Sequence, residues 1–393
     1  MKRVLVHVGA PKTGTTFIQD LLFQHRESLA EQGILYPAHR FDAHFLAALD
    51  LMELPWGGLE QQAVGAWDDL AERVRAFDGT SIVSHEILAR ASRDQVKRAL
   101  DSFGDAEVHV VLSARDLVRQ IPAEWQENVK HRRVLDYGAF LDRIMNPART
   151  GELASWFWGV QDVPDILDRW GSTLPPEHVH LVTVPPSGAP RGLLWERFAS
   201  VFGLDPTAYV TESERANPSL GALETDYLRR VNQRVNGGVL ANEHYREFVR
   251  ELLAHRTLSQ RSDSPRLSLP QRARTWATEL SQEWVKELGD RGYDVVGSLD
   301  ELVPQPAPDD FVDPDLPAHD DDVALDATVA LLREAARLRS DNDRLWREKE
   351  AAVRALDEAA GPVLRLKRRV VRASETRPTV RRALGVYRRL RGR

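Results

Sequence analysis

The sequence predicts an α/β fold, a parallel sheet flanked by helices, with a separate helical extension at its C-terminal end. Three observations lead there. Short apolar runs rich in β-branched residues, at 3–8, 80–83, 108–112 and 178–184, alternate with longer stretches whose apolar residues recur at helical spacing. The first run feeds a glycine-containing turn that opens directly into a helix. Beyond residue 298 the pattern changes to an acidic, proline-rich stretch and then to a heptad repeat.

Composition narrows the class. The chain has 393 residues, 42% of them hydrophobic, with ten tryptophans, ample for one large core and its appendages. It has no cysteine, which excludes disulfides and thiolate metal sites and fits a reducing compartment. Met1-Lys2-Arg3 resembles the start of a signal peptide, but the apolar run after it ends within a few residues at Pro11 and Lys12. No stretch approaches the ~18 apolar residues of a membrane span. A cytoplasmic protein is expected. Of the basic residues 46 are Arg and 7 are Lys, so a lysine in a turn is a notable choice.

The first run, Arg3-Val4-Leu5-Val6-His7-Val8, reads as a buried parallel strand. His7-Val8-Gly9-Ala10-Pro11-Lys12-Thr13-Gly14-Thr15-Thr16 follows, and Phe17 to Phe23 has helical spacing. Strand, glycine turn and helix start together make an anion cradle. Gly14 allows close backbone approach, the first-turn amides have no partner within the helix, and the helix dipole favours negative charge. Thr13, Thr15 and Thr16 add hydroxyls. A Walker A loop needs its lysine directly after the second glycine; here Thr15 takes that place and Lys12 stands two residues before Gly14.

The order Pro11-Lys12-Thr13-Gly14-Thr15-Thr16 resembles the 5′-phosphosulfate loop of the sulfotransferases that use PAPS (3′-phosphoadenosine 5′-phosphosulfate). The resemblance implies a P-loop-type parallel sheet, PAPS as co-substrate and no metal. It further implies that the loop amides and hydroxyls hold the 5′-phosphate. Lys12 would then reach the oxygen that bridges phosphate and sulfur and stabilise charge as the sulfuryl group leaves.

Helix 1, about 15–31, ends near Gly33, and Ile34-Leu35-Tyr36-Pro37 leads into a loop. His39, Arg40, Asp42 and His44 then form a polar cluster. In several carbohydrate sulfotransferases the segment after the first helix carries an acid or base, which points to His44; a surface histidine capping a short helix is the other reading. Residues 60–77 read as an amphipathic helix. The next strand ends in Ser84-His85-Glu86, where a parallel sheet binds its ligands. Transfer to an alcohol needs a base for the hydroxyl proton, and His85 or Glu86 can serve; alternatively the triplet caps a helix at 87–103.

The third strand, 108–112, runs into Ser113-Ala114-Arg115-Asp116-Leu117 and a helix. This resembles the family's 3′-phosphate signature, a strand leading to Arg-[Asp/Asn]-Pro with a serine eight residues after the Arg. Arg115 and Asp116 match, Leu117 replaces the proline, and Ala123 stands where the serine would be. Arg119, or a later loop, would have to replace that hydroxyl; the candidate loop holds Arg215, Asn217 and Ser219, with Ser219 as N-cap of the next helix. Its alternative is a plain capped helix start. Trp156, Phe157, Trp158 and Trp170, among glycines and Pro164, read as core or as an acceptor lid.

Residues 1–298 thus form the expected sulfotransferase-like domain. Residues 300–322 hold nine Asp or Glu, five prolines and no Lys or Arg, a solvated acidic linker spanning about 299–323. From 324 to 360, Leu331, Leu338 and Leu345 recur every seven residues, with Ala335, Asn342, Lys349 and Leu356 between, a short coiled-coil seam that would hold a homodimer. A single amphipathic helix packed on the domain is the alternative. The tail, 361–393, carries +11 in 33 residues, leaving −17 for residues 1–360 of a chain whose net charge is −6. Apolar residues at helical spacing among its arginines suit an anionic membrane surface, so the expected location is the inner membrane surface. The acidic part of the chain is the next candidate partner for the tail, and nucleic acid the last.

The sequence therefore points to sulfuryl transfer from PAPS to a hydroxyl or amine of an acceptor, with a carbohydrate or glycolipid among the candidates. An NTP-dependent P-loop kinase and a non-catalytic nucleotide-binding adaptor are the alternatives.

Overall fold

A computed structural model describes residues 2–190, 192–209, 219–261, 264–305, 311–316 and 322–359. Six strands among them form one all-parallel sheet: β1 (Arg3–His7), β2 (Ile34–Leu35), β3 (Thr80–Ser84), β4 (Glu107–Ala114), β5 (Val179–Thr183) and β6 (Asp294–Val296). Their order is β2-β3-β1-β4-β5-β6. The first strand therefore lies inside, paired to β3 on one side and β4 on the other. Chain order reverses across β1, so the crevice outside its carboxyl end lies at the switch point of the sheet.

Alternate residues of β1 feed opposite layers, as the two-residue period of a strand requires. Val4 and Val6 join one core with Val83, Val110, Leu112, Trp67 and Trp125. Leu5 joins the other with Ile82, Val111, Ile18 and Trp195. Burial on both faces is what makes the strands read as continuous apolar runs.

Several elements differ from expectation at their ends. The first helix is two pieces, Thr15–Gln24 and Arg26–Glu31. Gly65, at φ 81°, splits the stretch 60–77 into Glu60–Ala63 and Ala66–Ala76. A 3-10 turn, Glu86–Arg90, precedes the helix Arg93–Asp101, which starts at a full capping box formed by Ser92 and Gln95. Tyr245–Thr257 is a π-helix.

The acidic stretch is not wholly solvated. Leu302 is buried, Glu301 pairs with Arg197 at 2.6 Å, and Asp315 accepts from the amides of Tyr137 and Gly138 at 2.8 and 2.7 Å. A carboxylate at the start of the helix Tyr137–Met145 satisfies two otherwise orphaned donors. Residues 306–310 and 317–321 lie outside the described residues.

Asp322–Ala359 is one helix of 38 residues. Leu325, Val329, Leu332 and Ala336 bury its first part against the domain. The heptad leucines, Leu331, Leu338, Leu345 and Leu356, are exposed. Packing on the domain thus uses a different stripe from the predicted seam, whose leucines stay exposed among the described residues while its Ala335 is half-buried. The basic tail, 361–393, lies outside the described residues. Among the described residues no helix is long and apolar enough to cross a membrane.

Candidate functional site

The loop after β1 is held by its neighbours in the sheet. Ala10 N donates to Ser113 O at 2.7 Å, continuing the β1–β4 pairing past the end of the strand. His7 is fully buried beneath it, with Nδ1 2.8 Å from Ser84 Oγ and Nε2 3.3 Å from Ser113 Oγ. One imidazole thereby links the ends of β3, β1 and β4. Burial pulls its pKa down to about 4, against the pull of Glu86, so the ring is neutral at physiological pH.

Gly14, at φ 89°, is the N-cap of Thr15–Gln24. No side chain caps this helix, and its first turn holds no carboxylate. The amides at the helix start therefore face outward with the positive end of the dipole, an arrangement that fits a phosphate. The backbone needs glycine at Gly9 too, since φ is 110° and a Cβ there would sit 2.9 Å from the Glu86 carbonyl. Of the three threonines, Thr13 is buried and commits its hydroxyl internally, donating to Ala10 O at 2.5 Å. Thr15 is also buried, Thr16 is exposed, and Pro11 is half-buried.

Lys12 occupies the left-handed region at φ 64°, a conformation that costs a non-glycine residue about 1 kcal/mol. Its ammonium meets Glu127 Oε2 at 2.5 Å. Glu127 also lies 3.0 Å from His131 Nε2 and 3.6 Å from Arg250. Burial pushes the Glu127 carboxyl up, but His131 and Lys12 outweigh it and hold it well below the usual range. One turn earlier, Glu124 is pushed up to about 7 by burial, against the pull of Lys12.

Arg115 follows β4, and its partners tie the two predicted nucleotide segments together. Its Nε donates to Gln120 Oε1 at 2.9 Å, and Gln120 Nε2 in turn donates to the Pro11 carbonyl. Burial, helped by Arg119, lowers the Arg115 pKa to about 10, leaving it a cation. Asp116 caps Leu117–Lys130, accepting from Arg119 N at 2.9 Å. Arg119 is not free to replace the missing hydroxyl at Ala123. Its guanidinium is taken by the Asp116 carboxylate and by the Pro185 carbonyl at 3.0 Å.

At the end of β3, His85 caps the turn Glu86–Arg90 by accepting from Ile87 N at 3.3 Å through Nδ1. Burial lowers the His85 pKa, against the pull of Glu86. Burial would raise the Glu86 carboxyl, yet His85, Gln19 and Lys12 hold it low and ionised. Gln19 reaches one Glu86 oxygen at 2.8 Å. The lone pairs for a base are therefore on Glu86.

His44 is neither at the surface nor a cap. It is buried, the N-cap of Ala43–Met52 is Asp42, and its Nδ1 accepts from Ser84 N at 3.1 Å. Burial lowers its pKa to about 3. This places it beneath the Ser84-His85-Glu86 triplet as a neutral support.

Arg215 and Asn217 lie outside the described residues. Ser219 is exposed, and the helix it was expected to open starts instead at Ala222 with Gly221 as N-cap. Trp158 and Trp170 are core, with indole nitrogens donating to the carbonyls of Ile144 and Leu88. Phe157 is core as well. Trp156 is the exception, half-exposed with its ring 5.8 Å from Trp56.

Gln19, Gln120, Glu124, Glu127 and Gln161 are site neighbours that motif reading missed. Their signal was periodicity: Gln120, Glu124 and Glu127 share one side of a helix that a purely structural element would make apolar. Gln161 Nε2 donates to Glu124 Oε1 at 3.0 Å, closing this polar layer behind the loop. Away from it, at the opposite end of the sheet, donor atoms of Glu107, His109 and His178 lie within 4.8 Å of one another.

No family model matches the chain, and no curated protein matches it. A solved structure, a sulfotransferase from Alicyclobacillus acidocaldarius, aligns over 54% of this chain and 85% of that one. The identity is 19% and the TM-score 0.39. A likeness this loose identifies neither a family nor an activity.

Proposed function

We propose that this chain is a sulfotransferase that moves a sulfuryl group from PAPS to a hydroxyl or amine of an acceptor. The observation that carries the reading is the Gln120 bridge. One side chain joins Arg115, the candidate 3′-phosphate ligand, to Pro11, the residue before the candidate catalytic lysine. Two segments about a hundred residues apart in sequence are thus held as one rigid unit at the switch point of the sheet.

PAPS would supply an activated sulfuryl group and a phosphate leaving group. The uncapped helix start at Gly14, with the hydroxyls of Thr15 and Thr16, would hold the 5′-phosphate, and Arg115 the 3′-phosphate. Lys12 would offset negative charge gathering on the leaving oxygen, a contribution that grows toward the transition state. Glu86 would take the proton of the acceptor, with the Gln19 amide fixing its orientation.

The decisive experiment is calorimetric titration with the product nucleotide, 3′-phosphoadenosine 5′-phosphate, and with ATP. A sulfotransferase binds the first and not the second; the reverse favours a kinase. Nucleotide binding without transfer of labelled sulfate to any component of a metabolite and lipid extract favours the adaptor. We place the site of action at an anionic membrane surface engaged by the tail 361–393, on the strength of its charge and apolar spacing.

A further inference from the structure

Arg90, the last residue of the 3-10 turn that Glu86 opens, lines a cavity of about 440 Å³. Its wall includes Arg90, Asp165 and Arg169 with apolar Met52 and Leu54. The two arginines differ in kind. Arg169 is saturated: it pairs with Asp165 at 2.8 Å and donates to the carbonyls of Ala89, Ala91 and Gly159 at 2.6, 2.5 and 3.0 Å. Arg90 is partly buried, and among the described residues its guanidinium has no hydrogen bond and no ion pair. It rests on the face of Trp156, 4.7 Å from the ring centre. Burial and the charge of Arg169 lower its pKa, and no structural partner compensates either effect. A half-buried guanidinium that lines a cavity and has no anionic partner among the described residues keeps donors available for a planar anion.

A line of aromatic rings leads from this cation to the candidate active site. Trp156 lies 5.8 Å from Trp56, Trp56 lies 5.6 Å from Phe45, and Phe45 lies 5.1 Å from His85. Phe45, Trp56 and Trp156 are all partly exposed, unlike the buried Trp158 and Trp170. The half-exposed rings, edge to face at Phe45–Trp56 and tilted at Trp56–Trp156, offer apolar surface to a ring-shaped ligand.

We propose that Arg90 is the anchor for an anionic acceptor, a sugar acid that lies along Phe45, Trp56 and Trp156 with its reacting hydroxyl at Glu86. The charged group would take the planar guanidinium fork, and the ring or rings of the acceptor would cover the aromatic floor. Asp165, held by Arg169, leaves the cavity with an excess of one cation, which excludes cationic acceptors. This inference rests on the sulfotransferase reading for the reacting end, but the anion site stands on Arg90 alone.

The test is binding of para-nitrophenyl glucuronide and its neutral counterpart para-nitrophenyl glucoside, measured by calorimetry on the full chain and on Arg90→Gln and Arg90→Lys. The wild type should prefer the glucuronide by about tenfold or more, the scale of one charge-assisted hydrogen bond. Arg90→Gln should erase that preference, Arg90→Lys should keep part of it, and raising salt should shrink it in the wild type. Equal binding of the two sugars by the wild type, binding of neither, or a preference that survives Arg90→Gln overturns the proposal. Binding of 3′-phosphoadenosine 5′-phosphate serves as the control. If the nucleotide binds and the sugars are not distinguished, the acceptor site is wrong; if the sugars are distinguished and the nucleotide does not bind, the sulfotransferase reading is wrong.

Discussion

Lys12 and Glu127 form an ion pair at 2.5 Å, across 115 residues of sequence, with about a fifth of each side chain exposed. The ammonium proposed to act on the leaving group is thus already committed to a carboxylate. An incoming phosphate must draw it away. Glu127→Gln should release it and tighten product-nucleotide binding by about fivefold, the scale of a partly exposed ion pair. Unchanged affinity would mean that Lys12 stays with Glu127 throughout.

Lys12→Ala removes a charge whose value rises toward the transition state. Turnover should fall by about 100-fold or more while nucleotide affinity falls far less. Single-turnover kinetics beside calorimetry separates the two. Equal losses in both would make Lys12 a binding residue only.

Arg115→Ala should abolish preference for the 3′-phosphorylated product nucleotide over adenosine 5′-phosphate. Gln120→Ala breaks the link between Arg115 and Pro11 without touching a phosphate ligand, so it should weaken both phosphate sites together. Competition binding with the two nucleotides reads both effects. Retained 3′-preference in Arg115→Ala would place the 3′-site elsewhere.

Glu86→Gln and His85→Asn separate base from positioner. With its lone pairs exposed to the acceptor, Glu86 should be indispensable, and Glu86→Gln should lower turnover by about 100-fold or more. The low Glu86 pKa leaves it ionised above the usual carboxylate range, so the rate should be flat with pH around neutrality. In His85→Asn the partner that helps hold Glu86 low is lost, and the acid limb of the profile should move to higher pH. A profile of the wild type that bends near the histidine range would instead make His85 the base.

His7 couples stability to pH. Its pKa is near 4 folded and ~6.5 unfolded, so the unfolded state binds the proton more readily and stability falls as pH drops below ~6.5. Between pH ~7.5 and ~5 this single group removes about 2 kcal/mol. Urea unfolding of the wild type and of His7→Gln at the two pH values checks it, since the variant should lose correspondingly less. Equal pH dependence in both would mean that His7 is protonated in the folded protein.

Co-sedimentation with anionic and neutral vesicles tests the tail. The full chain should pellet with anionic vesicles in a salt-sensitive way, and a chain stopped at Ala360 should not. No difference between the two ends the membrane reading.

The sheet was legible where strands are buried on both faces: β1, β3, β4 and β5 lie where apolar runs placed them. The two edge strands were not. Ile34–Leu35 has two residues and Asp294–Val296 three, too short to show a period. The strand–glycine turn–helix junction around Pro11 to Thr16 was legible because glycine, lysine and threonine at such a junction are rarely needed for packing. Gln19 and Gln161 were not, because each acts through a partner distant in sequence, whereas Gln120, Glu124 and Glu127 left only the one-sided polar spacing of their helix as a sign. His44 shows the converse: a polar residue near a motif attracts a functional reading, but its environment, visible only in three dimensions, keeps it neutral and inside.

The long helix Asp322–Ala359 carries its own consequence. It is moored to the domain through Leu325, Val329, Leu332 and Ala336, and Ser340 still touches His244 at 3.3 Å. From Asn342 through Leu356 every described side chain but Val353 is exposed. The free portion, 342–359, spans roughly 27 Å at 1.5 Å per residue. If the chain is held beyond the tip, the helix would act as a stand-off rod that keeps the α/β domain at a set remove. The distance, more than any contact, would then decide which acceptors come within reach, and deleting one heptad would shorten that reach by about 10 Å while leaving the moored stripe intact.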